Sequence, residues 1–255
     1  MYQNWQFVNI DKRHTSGYLG KLGGLFFSSI TEELIYTLTI PAGPLQPALS
    51  NSPFQEVASI WAGDRIICLG DYATSWPQNI LDAVDFLPKS SDQTSHDPTQ
   101  MSPEAFTASC KLIIDVDFGP DMLVAFPRDR VWALRNISKK LYVRSDRVPT
   151  INGEKNLEYE SHHGLQSFPG LGQVVLANIL WSDDSSTSMR FSDVQGGWAG
   201  DRIDIRLMDD VAEEMQEQGW KDISRQEVIK IYDIFFEEGN VEGELPEEPQ
   251  ASFNS

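Results

Sequence analysis

The stretch Trp61-Ala62-Gly63-Asp64-Arg65-Ile66 recurs without change as Trp198-Ala199-Gly200-Asp201-Arg202-Ile203. In a chain of 255 residues a chance identity of six is on the order of one in a thousand, so an internal repeat is the first organisation to consider. Working outward, Trp5-Gln-Phe-Val-Asn9-Ile-Asp-Lys12-Arg13 pairs with Trp132-Ala-Leu-Arg-Asn136-Ile-Ser-Lys139-Lys140. Leu19–Phe26 pairs more loosely with Leu171–Asn178. The spacings differ: Asn9 to Leu19 is 10 residues and Asn136 to Leu171 is 35, while Leu19 to Trp61 is 42 and Leu171 to Trp198 is 27. The length changes fall in Pro41–Pro53 and Ser145–Gly170, which carry loop chemistry, and closure entropy grows only slowly with loop length. The reading is two related half-units, residues 1–125 and 126–238, with an acidic tail at 239–255 that is expected to be disordered.

These blocks resemble a large family of uncharacterised fungal proteins. The resemblance is carried by Trp5-Gln6, Asn9–Arg13, Ser16-Gly17, Gly20–Gly23 and Trp61–Tyr72. It continues through Trp132–Arg144, Leu171-Gly172, Ile179–Ser182 and Trp198–Ile203. It implies an intracellular fungal protein, and it brings with it no activity, cofactor or catalytic residue.

Charge narrows the partners. There are 38 acidic and 20 basic side chains, a net of −18, which opposes binding to nucleic acid or an anionic membrane surface. The surplus is uneven: Asp209–Ser255 holds 14 acids against Lys221, Arg225 and Lys230, a net of −11. No apolar run reaches the ~18–20 residues of a membrane span. The N-terminus lacks the basic and apolar regions of a secretory leader, so a cytoplasmic location is expected and the sequon at Asn136 is read as unused. Two cysteines do not form a disulfide framework, and Cys68, inside Ile66-Ile67-Cys68-Leu69, reads as a small buried hydrophobe.

Partial alternation predicts strands over Trp5–Ile10, Ile66–Leu69, Lys111–Ile114, Met122–Phe126, Val131–Leu134, Leu141–Val143 and Ile203–Leu207. A helix is expected over 171–180, whereas Gly23–Tyr36 reads as helix or buried strand. Met208, Val211, Ala212 and Met215 share one helical face that ends at Gly219. Ser224-Arg-Gln-Glu227 has capping-box spacing and opens a second helix with Val228, Ile231, Tyr232 and Phe235 on one face. Lys89–Pro103 is read as a flexible loop. The fold class expected is α+β, mainly antiparallel sheet in two half-units, with C-terminal amphipathic helices.

The candidate binding residues are Trp61, Asp64 and Arg65 with Trp198, Asp201 and Arg202. One account is structural: Trp fills the core, Ala-Gly turns the chain, Asp organises the turn, and Arg pairs with an acid. The other places both Asp-Arg pairs in a shared cleft, with Arg gripping a carboxylate or phosphate. Asp115–Asp121 resembles part of a calcium loop, but position 12 is Phe126 where a bidentate Glu is needed. His162-His163 with Glu158 and Glu160 lacks the i, i+4 spacing of a helical zinc motif. Gly20–Gly24 lacks phosphate-loop spacing and reads as a packing turn, and no hydrolase, Walker or dinucleotide signature is present. No local signature activates Cys68 or Cys110. No metal or cofactor is expected. The leading expectation is a non-enzymatic binding or regulatory protein with a protein or small-molecule partner. The alternative is an accessory enzyme of fungal small-molecule metabolism with its site between the halves.

Overall fold

The computed structural model describes residues 3–26, 30–42, 58–82, 101–113, 130–148, 159–161, 164–166, 170–184 and 194–236. The expectations for the loop at 89–100, the strand at 122–126, the Asp115–Asp121 turn, His162-His163 and the tail lie outside the described residues.

The first hairpin pairs β1 (Trp5–Asn9) with β2 (His14–Thr15). Two helices follow, α1 (Leu22–Phe26) and α2 (Ile30–Leu38). The first repeat turn leads into β3 (Asp64–Gly70), then α3 (Gln78–Asp82), α4 (Pro103–Ala108) and β4 (Lys111–Leu112). The second hairpin joins β5 (Trp132–Asn136) and β6 (Leu141–Arg144), and a 3-10 turn follows at Ser145–Arg147. A small separate hairpin, β7 (Tyr159–Ser161) and β8 (Gly164–Gln166), precedes α5 (Leu171–Ile179) and β9 (Leu180–Trp181). The second repeat turn leads into β10 (Arg202–Leu207), α6 (Met208–Glu217), β11 (Lys221–Asp222) and α7 (Ser224–Phe236).

Nine of these strands make one sheet in the order β11-β6-β5-β10-β3-β1-β2-β4, with β9 beside β3. The α+β class therefore holds, but the expectation of a mainly antiparallel sheet is corrected: the sheet is mixed. The pairings β1/β2, β1/β3, β3/β10, β10/β5 and β5/β6 are antiparallel, whereas β2/β4, β6/β11 and β3/β9 are parallel. The parallel members are two-residue strands that arrive from a helix; β4 lies within the strand expected over Lys111–Ile114, whereas β9 and β11 are too short to leave a periodic signal. Strands from 1–125 and from 126–238 lie in this one sheet, joined where β3 meets β10.

That junction has a particular form. β3 and β10 pair only through Arg65↔Arg202 and Asp64↔Ile203, then diverge. The vacated edge of β3 is filled by β9, at Cys68↔Leu180 and Leu69↔Trp181. The vacated edge of β10 is filled by Thr39 opposite Ile205, with Ile40 N–H donating to the Ile205 carbonyl at 2.8 Å. Each filler directly follows a helix of the opposite half, α5 for β3 and α2 for β10.

Alternate strand residues face two cores. Trp5, Phe7, Ile66, Cys68, Leu134, Ile203 and Ile205 point to the larger one, closed by α1, α2, α5 and α7, which also takes Trp61, Trp132 and Trp198. Every residue of α5 is buried, as expected of a helix apolar on nearly all sides. It passes so close to α2 that a Cβ on Gly172 would stand 2.9 Å from the Thr31 Cβ. On the reverse face, Val8, Ile10, Ile67 and Leu69 pack against Trp76, Ile80 and Phe106 of the α3–α4 region. Burial on both faces explains why Ile66–Leu69 is continuously apolar.

The same reverse face carries different chemistry over β5 and β10. Val8 pairs with Ile67 in the first half, and Arg135 pairs with Asp204 in the second. Arg135 is 5% exposed and grips Asp204 through Nε and Nη2, each at 2.7 Å, with its guanidinium over the Trp220 ring. Helix α6 covers it through Val211 and Met215, Glu214 Oε2 stands 3.8 Å from Arg135 Nη1, and Asp209, Asp210, Glu213 and Glu217 face solvent. The helix ends at Gln218 and Gly219, as the sequence indicates.

The capping box expected at the start of α7 is not formed. Ser224 Oγ donates to Asp222 and accepts from the Arg144 amide, while Glu227 turns inward to accept from Asn178 Nδ2 at 2.5 Å. Asn178 Nδ2 also donates to Val174 O at 2.9 Å, so Glu227 serves the second donor of this buried amide, which would otherwise go unmet.

Removing one member of a buried ion pair leaves the other charge uncompensated, whereas exchanging both for apolar residues removes the desolvation cost. Asp204→Ala is expected to destabilise by about 3–5 kcal/mol. The double variant Arg135→Val/Asp204→Ile, which copies Val8 and Ile67, should recover most of that loss. Urea unfolding midpoints of the three proteins check this; a double variant weaker than Asp204→Ala would contradict it.

Candidate functional site

The two Trp-Ala-Gly-Asp-Arg-Ile stretches meet at the β3/β10 junction and are built alike. Trp61 donates its amide to Thr37 O at 2.9 Å, and Trp198 donates its own to Asn178 O at 2.8 Å, each on the last turn of a buried helix. The chain then reverses through Gly63 at φ +81° and Gly200 at φ +79°, a region costly for any residue with a Cβ. Each of these glycines crosses the junction: Gly63 N–H donates to Ile203 O at 2.8 Å and Gly200 N–H to Ile66 O at 2.9 Å.

Each Asp binds back to the hairpin before it. Asp64 Oδ2 accepts from Asn9 Nδ2 at 2.8 Å and meets Lys12 Nζ at 2.7 Å. Asp201 Oδ2 accepts from Asn136 Nδ2 at 2.8 Å and meets Lys139 Nζ at 2.8 Å. The Asn oxygens accept the Lys12 and Lys139 amides at 2.8 and 3.0 Å, which closes both hairpin turns. Lys12 Nζ also donates to Ile60 O, and Lys139 Nζ to Gly197 O. Arg13 and Lys140, which follow, both have left-handed backbones at φ +55° and +53°. Asp201 has one donor more than Asp64, since Asn79 Nδ2 reaches its Oδ1 at 2.9 Å, and the Asp201 residue is 4% exposed.

The arginines break the likeness. Arg65 grips Asp11 Oδ1 through Nε, at 2.8 Å, and through Nη2, while its amide donates to Asp11 Oδ2 at 2.9 Å. Arg202 donates its amide to Ser138 Oγ at 2.9 Å, at the place that corresponds to Asp11. Its Nη1 crosses the junction to Asp11 Oδ2 at 2.9 Å and Gly63 O at 3.1 Å. Burial raises the Asp11 pKa, but the Arg65 hydrogen bonds and the charges of Arg65 and Arg202 outweigh it and hold the carboxyl below its ordinary value.

His14 sits beside this set, where the second hairpin has Leu141, and its Nδ1 accepts from Trp61 Nε1 at 3.4 Å. Burial, reinforced by Lys111 and Lys12 and opposed by Asp64, keeps its pKa below the usual value. Neither cysteine is poised as a nucleophile: burial pushes the Cys68 thiol well up and the Cys110 thiol to about 11. Gly20–Gly24 does act in packing, since Trp5 N–H donates to Gly20 O at 2.9 Å and the turn leads into the buried Leu22, Leu25 and Phe26. Among the described residues, no group of three or more His, Cys, Asp or Glu could hold a metal ion. In the same residues no helix is long and apolar enough to cross a membrane.

All six candidate residues thus stand at one junction. The sequence reading named them without their partners: Asn9, Asp11, Lys12, Asn79, Asn136, Ser138 and Lys139. A signal for most of these was present in the shared Asn-Ile-x-Lys spacing, whose Asn and Lys both serve the Asp. Comparison with protein-family models, curated proteins and solved structures found no match.

Loss of the Asp201 carboxylate strands the buried Asn136 donor and removes one of the two acceptors of the exposed Asn79, whereas Asp64 is more open. Asp201→Ala is expected to cost about 2–4 kcal/mol and Asp64→Ala about 1–2 kcal/mol; denaturant unfolding measures both. Full stability in both variants would contradict a structural role. His14, with a lowered folded pKa, favours folding fully only above its ordinary value of 6.5, and protonation removes that contribution as pH falls below it. A His14→Gln protein should therefore lose less stability than the parent between pH 7 and pH 5, as read by thermal unfolding.

Proposed function

We propose that the chain is a non-enzymatic cytoplasmic binding or regulatory protein, built from two divergent copies of one module fused across a shared sheet. One observation carries this reading: both aspartates and the Arg65 guanidinium of the paired blocks are engaged in holding two matching turns. Asp64 and Asp201 are committed to Asn and Lys, and the Arg65 guanidinium to Asp11. The matching hydrogen bonds support a common origin of the two blocks. They also favour a revised alignment. Trp61 and Trp198 bind the ends of α2 and α5, so α2 (Ile30–Leu38), and not Leu19–Phe26, is the counterpart of α5 (Leu171–Ile179).

The partner is a protein or a small molecule. Nucleic acid and anionic membrane are disfavoured by the net charge of −18. The fungal origin implied by the resemblance belongs to the same proposal. The rival reading, an accessory enzyme with its site between the halves, has less support because Asp11, Arg65 and Arg202 fill that boundary with bonds to each other.

Incubation of the purified chain with a small-molecule extract of its native host separates the two. Metabolite levels are expected to change by no more than one equivalent of protein, through retention of a bound compound. Continuing depletion of any metabolite well beyond one equivalent, with a new product, would overturn the non-enzymatic reading.

A further inference from the structure

Asp11 and Ser138 give the paired blocks different charge beside Arg65 and Arg202. In the first block the Asp11 carboxylate lies against the Nε–Nη2 edge of Arg65 and also takes the Arg65 amide. In the second, Ser138 takes the Arg202 amide but supplies no carboxylate. The backbones around both are equivalent, since Ile10 N–H donates to Arg65 O at 3.0 Å and Ile137 N–H to Arg202 O at 2.8 Å. Arg202 meets Asp11 and Gly63 through Nη1 alone, and among the described residues no acceptor meets its Nε–Nη2 edge. Its side chain is 44% exposed, against 13% for Arg65.

We propose that the Nε–Nη2 edge of Arg202, beside the Ser138 hydroxyl, is a binding subsite for a ligand carboxylate. The proposal rests on the duplicated-module reading above, because Asp11 on Arg65 is the template for the ligand. A carboxylate matches that edge through two parallel N–H···O bonds, and the planar fork is pre-set for it. Contact through Nη1 with Asp11 and Gly63 holds the guanidinium in place without using the free edge. The surroundings favour an anion locally: Lys12, Arg65, Lys139 and Arg202 stand against Asp11, Asp64 and Asp201, an excess of one positive charge in a chain of net −18. Exposure leaves the subsite open to a small dicarboxylate or to an acidic side chain of a peptide.

The test uses the full chain, Ser138→Asp and Arg202→Gln, with thermal unfolding in malonate, in a capped Gly-Glu-Gly peptide, and in chloride at matched ionic strength. Ser138→Asp should install the missing internal carboxylate and raise Tm by about 2–4 °C without ligand. In the parent protein malonate, the peptide or both should raise Tm by about 2–5 °C above chloride at tenfold saturation, and the one that acts identifies the source of the carboxylate. Both variants should lose that response. An absent response in the parent, or an equal response in all three proteins, overturns the subsite. If Ser138→Asp is nevertheless stabilised, the equivalence of the two blocks survives that failure. If Ser138→Asp lowers Tm, the equivalence itself is wrong and the template argument falls with it.

Discussion

The carboxylate of Asp201 is the constraint on which the arrangement turns. It binds Asn136 at the end of β5, Lys139 in the following turn and Asn79 in α3. Its backbone carbonyl receives the Ile66 amide of the opposite block at 3.1 Å. A buried charge with one of these donors would be a liability, since desolvation of an ion costs several kcal/mol. With several donors and a cation, it fixes where two hairpins, a helix and the junction strand stand relative to each other. Asp64 performs the same task with fewer partners and more solvent. The junction is therefore firmer on the Asp201 side.

On this frame the two halves carry unlike outer layers. Over β1 and β3 the reverse face is apolar and closed by Phe106 and Trp76, whose rings meet edge to face at 5.4 Å. Over β5 and β10 the equivalent positions hold the Arg135–Asp204 pair beneath an acidic helix. Register is identical in the two cases, with Asn9 opposite Ile66 and Asn136 opposite Ile203. Backbone pairing thus leaves the choice of side chain on that face open, provided volume is filled and charges are matched. An aliphatic pair contributes burial free energy, whereas the ion pair contributes directionality at little net gain.

Much of this was legible in the residues. The repeated hexapeptide marked the two turns, the alternation around Trp5 and Trp132 marked β1 and β5, and the i, i+3, i+4, i+7 face from Met208 marked α6. All three signals are local, arising within one element. What escaped was set by partners distant in the chain. The strands β2, β9 and β11 are two residues long and exist only because a longer strand offers an edge. Glu227 had ideal spacing for a cap and was drawn instead to Asn178, 49 residues away. The bonds from Trp61 to α2 and from Trp198 to α5 join elements far apart in sequence position relative to their turns, and no local letter pattern announces them. At the junction the Asp and Arg positions were visible, but Asp11 and Ser138 acquire meaning only once both blocks are superposed in space.

The crossed filling of the sheet edges bears on how the chain emerges from the ribosome. β3 receives its neighbour at Leu180-Trp181 and Thr39 waits for Ile205, so each edge stays open until a segment far along the chain has been made. During that interval the apolar face of β3 and the end of α2 stay open to water and to other nascent chains, a condition that favours misassembly. β9 closes the first edge, and completion of β10 closes the second. Synthesis of the final fifth, with its concentrated negative charge, follows directly on that closure, so the apolar edges are covered before most of the acidic surface is added.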